Sequence, residues 1–211
     1  MPIRENREYR DMPILAKETR EQQEVENNYV VEGYASTFGE YKLFEMDGCE
    51  YYERIEPSAF DNTDMSDVVL NIDHEGRVYA RTRNNSLELS VDENGLKVRA
   101  DLSKSTNSRN LYEDIECGNY DRMSFAFIVD KDSIVRDSDT KVTRIIQNVS
   151  KMFDVSAVSF PANPGTDIGV SKRSLFDGFI EQEKLELVEQ EKRHQLELAK
   201  AKFEFATARK D

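Results

Sequence analysis

A serine and a histidine that lie far apart in this sequence are its clearest candidates for chemistry. Ser124 interrupts the alternating apolar run RMSFAFIVD at residues 122–130, and His74 lies in the run NIDHEGR at residues 71–77. Serine is a weak nucleophile unless a base within hydrogen-bond reach takes its proton, and that base is usually a histidine oriented by a third group. The two residue types therefore indicate nucleophilic catalysis if the fold brings them together.

The small number of histidines narrows the choice of base. The chain has two, and His194 lies among charged and polar residues near the C-terminus, where a solvated surface position explains it. His74 follows the apolar run DVVLNI and precedes Glu75 and Gly76. It is therefore placed at the end of a predicted buried strand, from which a side chain can project at the edge of a sheet.

The strand around Ser124 predicts the direction of its hydroxyl. Phe125 and Phe127 occupy one face of the alternating run, and Ser124 and Ala126 occupy the other. If the phenylalanine face is the core, Ser124 stands opposite it beside a small residue, with space for a substrate. A serine that only packs is the alternative, and the residue types alone leave both open.

Strands must position most of these residues. Runs that alternate or are continuously apolar are YVVEGYASTF, CEYYERI, DVVLNIDH, the hairpin SLELSVDENGLKVRADL, MSFAFIVDK, KVTRIIQNVS and MFDVSAVSF. In CEYYERI, Tyr51, Glu53 and Ile55 share one parity. The run TNSRNLYEDIECGNY has helical spacing and ends at Gly118, as a helix stop requires. The sequence predicts an α+β, mainly β fold of six or seven strands, a small closed antiparallel β-barrel with flanking helices.

The two ends of the chain differ from its middle. Residues 1–28 are dominated by Arg, Glu, Gln and Asn and predict a flexible leader, so the barrel domain is expected at 29–170. Residues 171–211 predict a long charged C-terminal helix with no proline. Four residues at helical spacing form a stripe suited to a partner helix: Leu196, Ala199, Phe203 and Ala206. A single charged helix without a partner is the alternative.

Composition excludes several classes of function. The formal net charge of −13 opposes binding to nucleic acid or to an anionic membrane surface, and no apolar run is long enough to span a bilayer. Cys49 and Cys117 are too far apart to form a chelating pair, and two cysteines make no disulfide framework. The sequence therefore predicts a soluble intracellular protein with no metal, no cofactor, no nucleic acid partner and no membrane partner.

An ordered series of blocks resembles a known family. The blocks are VVEGYASTFGEY, YYERIEPSAF, DHEGRVYARTRNNSLELSVDENGLKVRADL, SRNLYEDIECGNYDRMSFAFIV and DVSAVSFPANPGTD, which together cover about residues 30–170. They resemble the prohead maturation proteases of tailed bacteriophages, the HK97-type enzymes. That family is similar in fold to herpesvirus assemblins, which are serine proteases built on a small β-barrel surrounded by helices.

The resemblance implies roles for three residues. The family nucleophile falls on Ser124, and the family histidine falls on His74, which would act as the general base. Asp154 matches a position that is usually acidic in the family, and its carboxylate would orient the imidazole. A purely structural acid at this position is the alternative.

Two features near the histidine depart from the family pattern. Relatives commonly have an aromatic-Asn-His-Asp run, whereas this chain places Asp73 and Glu75 beside the histidine, and either could replace Asp154 as the orienting group. Arg81, in the segment ARTRN, matches a recurrent Gly-Arg-Thr pattern. It is expected either to assist the oxyanion or to form a surface salt bridge.

The function that the resemblance implies is a serine endopeptidase of phage prohead maturation. Such an enzyme cleaves scaffold and capsid proteins within the immature prohead in the host cytoplasm, and its own terminal segments are further expected targets. The major capsid protein, scaffold segments and further copies of the chain bound through the C-terminal helix are the expected partners. The alternative is a noncatalytic capsid assembly or scaffolding protein on a degenerate protease barrel.

Overall fold

A computed structural model describes residues 7–13, 29–158 and 174–207 of the 211-residue chain. The chain divides into two compact units, residues 1–168 and residues 169–211, and each is described by itself. Strands and one helix make up the described part of the first unit, and a single long helix makes up that of the second. The α+β, mainly β class that the sequence predicted is confirmed.

Ten strands and a helix make up the described part of the first unit, residues 7–13 and 29–158. In chain order they are β1 (Glu8–Pro13), β2 (Val30–Thr37), β3 (Tyr41–Met46), β4 (Cys49–Ile55), β5 (Val69–Ile72), β6 (Glu75–Arg81), β7 (Leu87–Val91), β8 (Gly95–Asp101), α1 (Thr106–Glu116), β9 (Arg122–Ser138) and β10 (Lys141–Val158). Short 3₁₀ turns lie at Pro57–Phe60, Thr82–Asn84 and Leu102–Lys104. The predicted helix is α1, and Gly118 follows it with φ 84°, a left-handed value suited to a helix stop.

A seven-stranded sheet is organised around β10. Its main path runs β1-β9-β10-β4-β3, and β5 pairs with both β10 and β6. β10 is antiparallel to β9 along its length, parallel to β4 over Lys141–Ile146 and parallel to β5 over Asp154–Ala157. The runs KVTRIIQNVS and MFDVSAVSF, predicted as separate strands, are therefore one strand. Register shifts within it allow the change of partner.

A three-stranded sheet contains the predicted hairpin. Its order is β2-β8-β7, and β7 and β8 are antiparallel around the turn at residues 92–94, so that prediction is confirmed. Gly95 begins β8 where the backbone of β2 comes very close: a Cβ at this position would lie 2.0 Å from the carbonyl oxygen of Ser36. Only glycine allows the two strands this approach.

One core unites the two sheets. The alternating apolar residues of both sheets and of α1 form a single buried cluster, which includes Phe125, Phe127, Leu96 and Leu111. Phe125 and Phe127 are fully buried, so the phenylalanine face of β9 is the core face, as the alternation predicted. The side chain of Ser124 therefore points to the opposite face of β9.

The described strands do not close into the barrel that the sequence predicted. Over residues 7–13 and 29–158 the hydrogen-bonded path of the larger sheet ends at β1 on one side and at β3 on the other, and these edges do not pair. β2, β7 and β8 form a sheet of their own instead of completing a ring. Alternation reveals which face of a strand is buried, but it carries no information on whether the first and last strands meet.

Both ends of the chain carry an element. β1 lies in the segment that the sequence assigned to a flexible leader, and it pairs antiparallel with β9 over six residues. Helix α2 (Asp177–Thr207) corresponds to the predicted charged C-terminal helix, although its stripe residues Phe203 and Ala206 lie outside the described side chains. Within the described residues, no helix combines the length and apolar character that crossing a bilayer requires.

Candidate active site

A tight hairpin between β5 and β6 presents His74. Asp73 and His74 are the two residues between the strands, and Ile72 pairs with Glu75 across the turn. Their φ values are 47° and 58°, the left-handed values that a two-residue hairpin turn of the primed type requires. Aspartate and histidine are among the non-glycine residues that tolerate this region. The turn therefore projects the imidazole from the end of a buried strand.

Two hydrogen bonds fix this turn to β10. The Asp73 N–H donates to the carbonyl oxygen of Ala157 at 3.1 Å, and the His74 N–H donates to Oγ of Ser156 at 2.9 Å. Ser156 is fully buried and donates its own hydroxyl proton to Oδ1 of Asn71. The backbone of the histidine is thus held by a serine that has no distinctive signal in the sequence.

Strand register places the other two predicted site residues beside this turn. On β9, Ser124 lies opposite Ser156 of β10, and Ala126 lies opposite Asp154. Paired residues of an antiparallel ladder point to the same face, so the hydroxyl of Ser124 and the carboxylate of Asp154 share a face. That face is the one opposite the phenylalanine core.

Ser124, His74 and Asp154 form a continuous chain of hydrogen bonds. Nε2 of His74 lies 2.7 Å from Oγ of Ser124, and Nδ1 lies 2.6 Å from Oδ1 of Asp154. Asp154 is buried, Ser124 is fully buried, and the imidazole is 18% exposed. A carboxylate accepts hydrogen bonds and does not donate them, so the neutral ring carries its hydrogen on Nδ1. The lone pair of Nε2 then faces the serine hydroxyl.

This geometry supports nucleophilic chemistry at Ser124. The alcohol has a base in contact with its proton, and the base has an acid that fixes its tautomer and its orientation. The structure therefore brings together all three residues that the resemblance singled out, although two strands and a turn from distant parts of the sequence supply them.

The other residues considered for the site do not take part in the hydrogen-bond chain. Asp73 and Glu75 are exposed, and the carboxylate in contact with the ring belongs to Asp154. Arg81 makes the salt bridge that was one of its two expected roles, with Nη2 donating to Oδ2 of Asp67 at 2.7 Å. His194 is exposed on α2.

Strand β1 covers Ser124. Oγ of Ser124 also donates to the carbonyl oxygen of Arg10 at 3.0 Å, and the Tyr9 ring packs edge-on against the imidazole of His74 with centroids 4.6 Å apart. The single hydroxyl proton of Ser124 is thus shared between Nε2 and a carbonyl of its own chain. These contacts have no signal in the sequence, because β1 shows neither a strand nor a helix period.

A buried ionic cluster lies on the other face of β1. Arg10 is bound to Glu53, which is fully buried and also bound to Tyr41 and Arg144. Burial by itself raises the pKa of Glu53, but the charge of Arg10 and its hydrogen bonds outweigh this and hold the pKa below its ordinary value of 4.5. One sequence signal pointed to this cluster: Glu53 alternates with Tyr51 and Ile55 in CEYYERI and so shares the apolar face of that strand.

Metal-ligating side chains do not gather anywhere in the described residues: no group of three or more His, Cys, Asp or Glu residues is placed to hold an ion. Cys49 and Cys117 are both free thiols.

The sequence matches a known protein family. The model of the caudovirus prohead serine proteases matches residues 16–178, which are more than half of the chain and include all three residues of the hydrogen-bond chain. No curated protein and no solved structure matches the chain. The resemblance to phage prohead proteases is confirmed, and the chain belongs to the caudovirus prohead serine protease family.

Proposed function

We propose that the chain is a serine endopeptidase that cleaves capsid and scaffold proteins, and its own terminal segments, during prohead maturation. The observation that carries this proposal is the hydrogen-bond chain from Ser124 through His74 to Asp154, with both imidazole nitrogens engaged at 2.7 and 2.6 Å. Membership of the family supports the biological setting, inside the immature prohead in the host cytoplasm.

The proposed reaction follows from these contacts. Oγ of Ser124 attacks the carbonyl carbon of the peptide bond while its proton passes to Nε2 of His74. Asp154 accepts a hydrogen bond from Nδ1–H throughout and stabilises the imidazolium that forms. His74 then gives the proton to the departing amine as the C–N bond breaks, which leaves an ester on Ser124. Water, deprotonated by the same imidazole, attacks the ester carbonyl. The bond to Oγ then breaks, the carboxylic acid product leaves, and His74 returns the proton to Ser124.

The proposed partners are the major capsid protein and scaffold segments. Helix α2 supports an encounter with helical segments, because one of its faces exposes three large apolar side chains, those of Leu185, Val188 and Leu196. A helix pair through this surface would carry the protease into the shell as it assembles, and self-association through α2 is the second arrangement that we propose.

A noncatalytic assembly protein on a degenerate protease fold is the competing function. Such a protein has no need of a base that contacts a buried serine or of an acid that contacts the base. The three residues would then be free to differ, and their contacts at hydrogen-bond distance favour the enzyme.

Co-expression with the major capsid protein of the same phage tests the proposal. The full chain is expected to shorten the capsid protein, as seen by intact-mass spectrometry, and Ser124→Ala is expected to abolish this. Ser90→Ala is the matched control because Ser90 is exposed on β7. Labelling by a fluorophosphonate probe should follow the same pattern. An intact capsid protein and no labelling of the wild type would favour the scaffold.

A further inference from the structure

β1 occupies the edge of β9 next to the candidate nucleophile. β9 pairs with β10 on one side and with β1 on the other, and Asp11 lies opposite Ser124 in this ladder. The carbonyl group that contacts Oγ of Ser124 is that of Arg10, at 3.0 Å. An extended peptide added to the same edge would meet the hydroxyl in the same way.

Alternation along β1 sends its side chains into two different environments. Tyr9 lies on the face of the hydrogen-bond chain, where its ring contacts His74. Arg10 points to the opposite face and is only 5% exposed, with Nη2 donating to Oε2 of Glu53 at 2.7 Å and Nε donating to Oε1. The residue whose carbonyl meets the nucleophile thus has its own side chain in a closed acidic pocket.

The charges that line this pocket match one cation. Glu53 and Asp132 both contact Arg144, whose Nη1 lies 2.9 Å from Oε2 of Glu53. Glu8 and Arg10 belong to β1 and leave together if that strand withdraws. Two acids would then face one base, and an unmatched charge beside a fully buried carboxylate is unfavourable. A single cationic side chain restores the balance.

The shape of the pocket selects among cations. Both carboxylate oxygens of Glu53 are engaged by two nitrogens of one guanidinium, a fork geometry that an ammonium group cannot reproduce. The Cζ atom of Arg10 also lies 5.6 Å from the centroid of the Phe127 ring, close enough for a cation–π contact. Arginine is therefore favoured over lysine, and both over a neutral side chain.

We propose that substrates bind as an extended strand on the β9 edge, with a basic residue directly before the cleaved bond. Glu53 is the residue that determines the preference for that basic side chain, and β1 is an internal competitor for the same groove. This inference rests on the proposed protease function. It places the arginine of the substrate where Arg10 now lies and the preceding side chain against His74.

Peptide binding without catalysis tests the groove. In the full chain carrying Ser124→Ala, a fluorescent peptide with Tyr-Arg-Asp at its centre is titrated by anisotropy beside its Tyr-Gln-Asp counterpart. Adding Arg10→Ala should tighten binding of the arginine peptide at least tenfold by weakening the competitor. Arg7→Ala is the matched control, because Arg7 stacks on Phe153 and does not contact Glu53. Equal affinity for the two peptides, or no effect of Arg10→Ala, would overturn the proposal.

Cleavage of these two peptides and of a Tyr-Lys-Asp counterpart, with Ser124 intact, separates this proposal from the function on which it rests. The expected order of kcat/KM is arginine, then lysine, then glutamine, and Glu53→Gln should reduce the preference for arginine over glutamine at least tenfold. Ser124-dependent cleavage without a basic preference refutes the pocket and leaves the protease standing. A basic preference in binding without any Ser124-dependent cleavage refutes the protease instead. If Glu53→Gln fails to fold, the wild-type order and the Arg10→Ala result still decide.

Discussion

Replacing Asp154 by asparagine removes one negative charge from the far side of the His74 ring and keeps the shape of the side chain. In the wild type, Oδ1 of Asp154 lies 2.6 Å from Nδ1 and keeps the ring hydrogen there. An amide can donate to Nδ1 instead, which moves the ring hydrogen to Nε2, toward Ser124. The imidazole then no longer accepts the serine proton, because its free lone pair faces the wrong way.

The expected loss of activity follows from the charge that Asp154 supplies. Two unit charges with centres about 4 Å apart interact by about 4 kcal/mol at an effective dielectric constant of about 20, which suits this largely buried pair. The attraction exists only when the ring becomes an imidazolium, so it lowers the barrier. At about 1.4 kcal/mol per tenfold, Asp154→Asn should lower kcat roughly 10³-fold, with little change in KM.

The neighbouring acids provide matched controls for this measurement. Asp73 and Glu75 flank the histidine in sequence but are exposed, so Asp73→Asn and Glu75→Gln should each change kcat less than about fivefold. The assay is single-turnover cleavage of a quenched peptide. If Asp154→Asn keeps more than a tenth of the wild-type rate, or if Asp73→Asn falls as far, the assignment of the orienting acid is wrong.

Three further changes probe the support of the site and the fold. Ser156→Ala deprives the backbone N–H of the turn histidine of its acceptor, so the free energy of unfolding in urea should fall by about 1–3 kcal/mol. Gly95→Ala places a Cβ 2.0 Å from a backbone carbonyl and should cost roughly 3 kcal/mol by the same measurement, whereas Gly118→Ala has open space and should cost about 1 kcal/mol. Because the fold lowers the pKa of Glu53, the ionised carboxylate contributes its full stabilisation at pH values above the ordinary pKa of 4.5. This stabilisation is lost as the pH falls through the lower pKa of the folded state. Urea titrations below pH 4.5 should therefore show a shallower loss of stability for Glu53→Gln than for the wild type, and equal slopes would contradict the shift.

Sequence periodicity predicted the local elements of the first unit well. The hairpin of β7 and β8, the helix α1 and the core face of β9 follow from residue spacing, because each depends on neighbours within one or two elements. The division of residues 141–158 into two strands was wrong, since register shifts let one long strand continue past polar positions. Strand β1 escaped detection because pairing with β9, and not its own pattern, makes it a strand.

The sequence by itself determined which residue types were present for nucleophilic chemistry, and its resemblance to a family pointed to Ser124, His74 and Asp154. Only the tertiary structure decided that these side chains meet, because a primed turn, a bulged strand and the register between β9 and β10 set their distances. It also decided that Arg10 covers the serine and ends in an acidic pocket. Contacts between segments so distant along the chain depend on which strands pair, whereas local alternation shows only which face of each strand is buried.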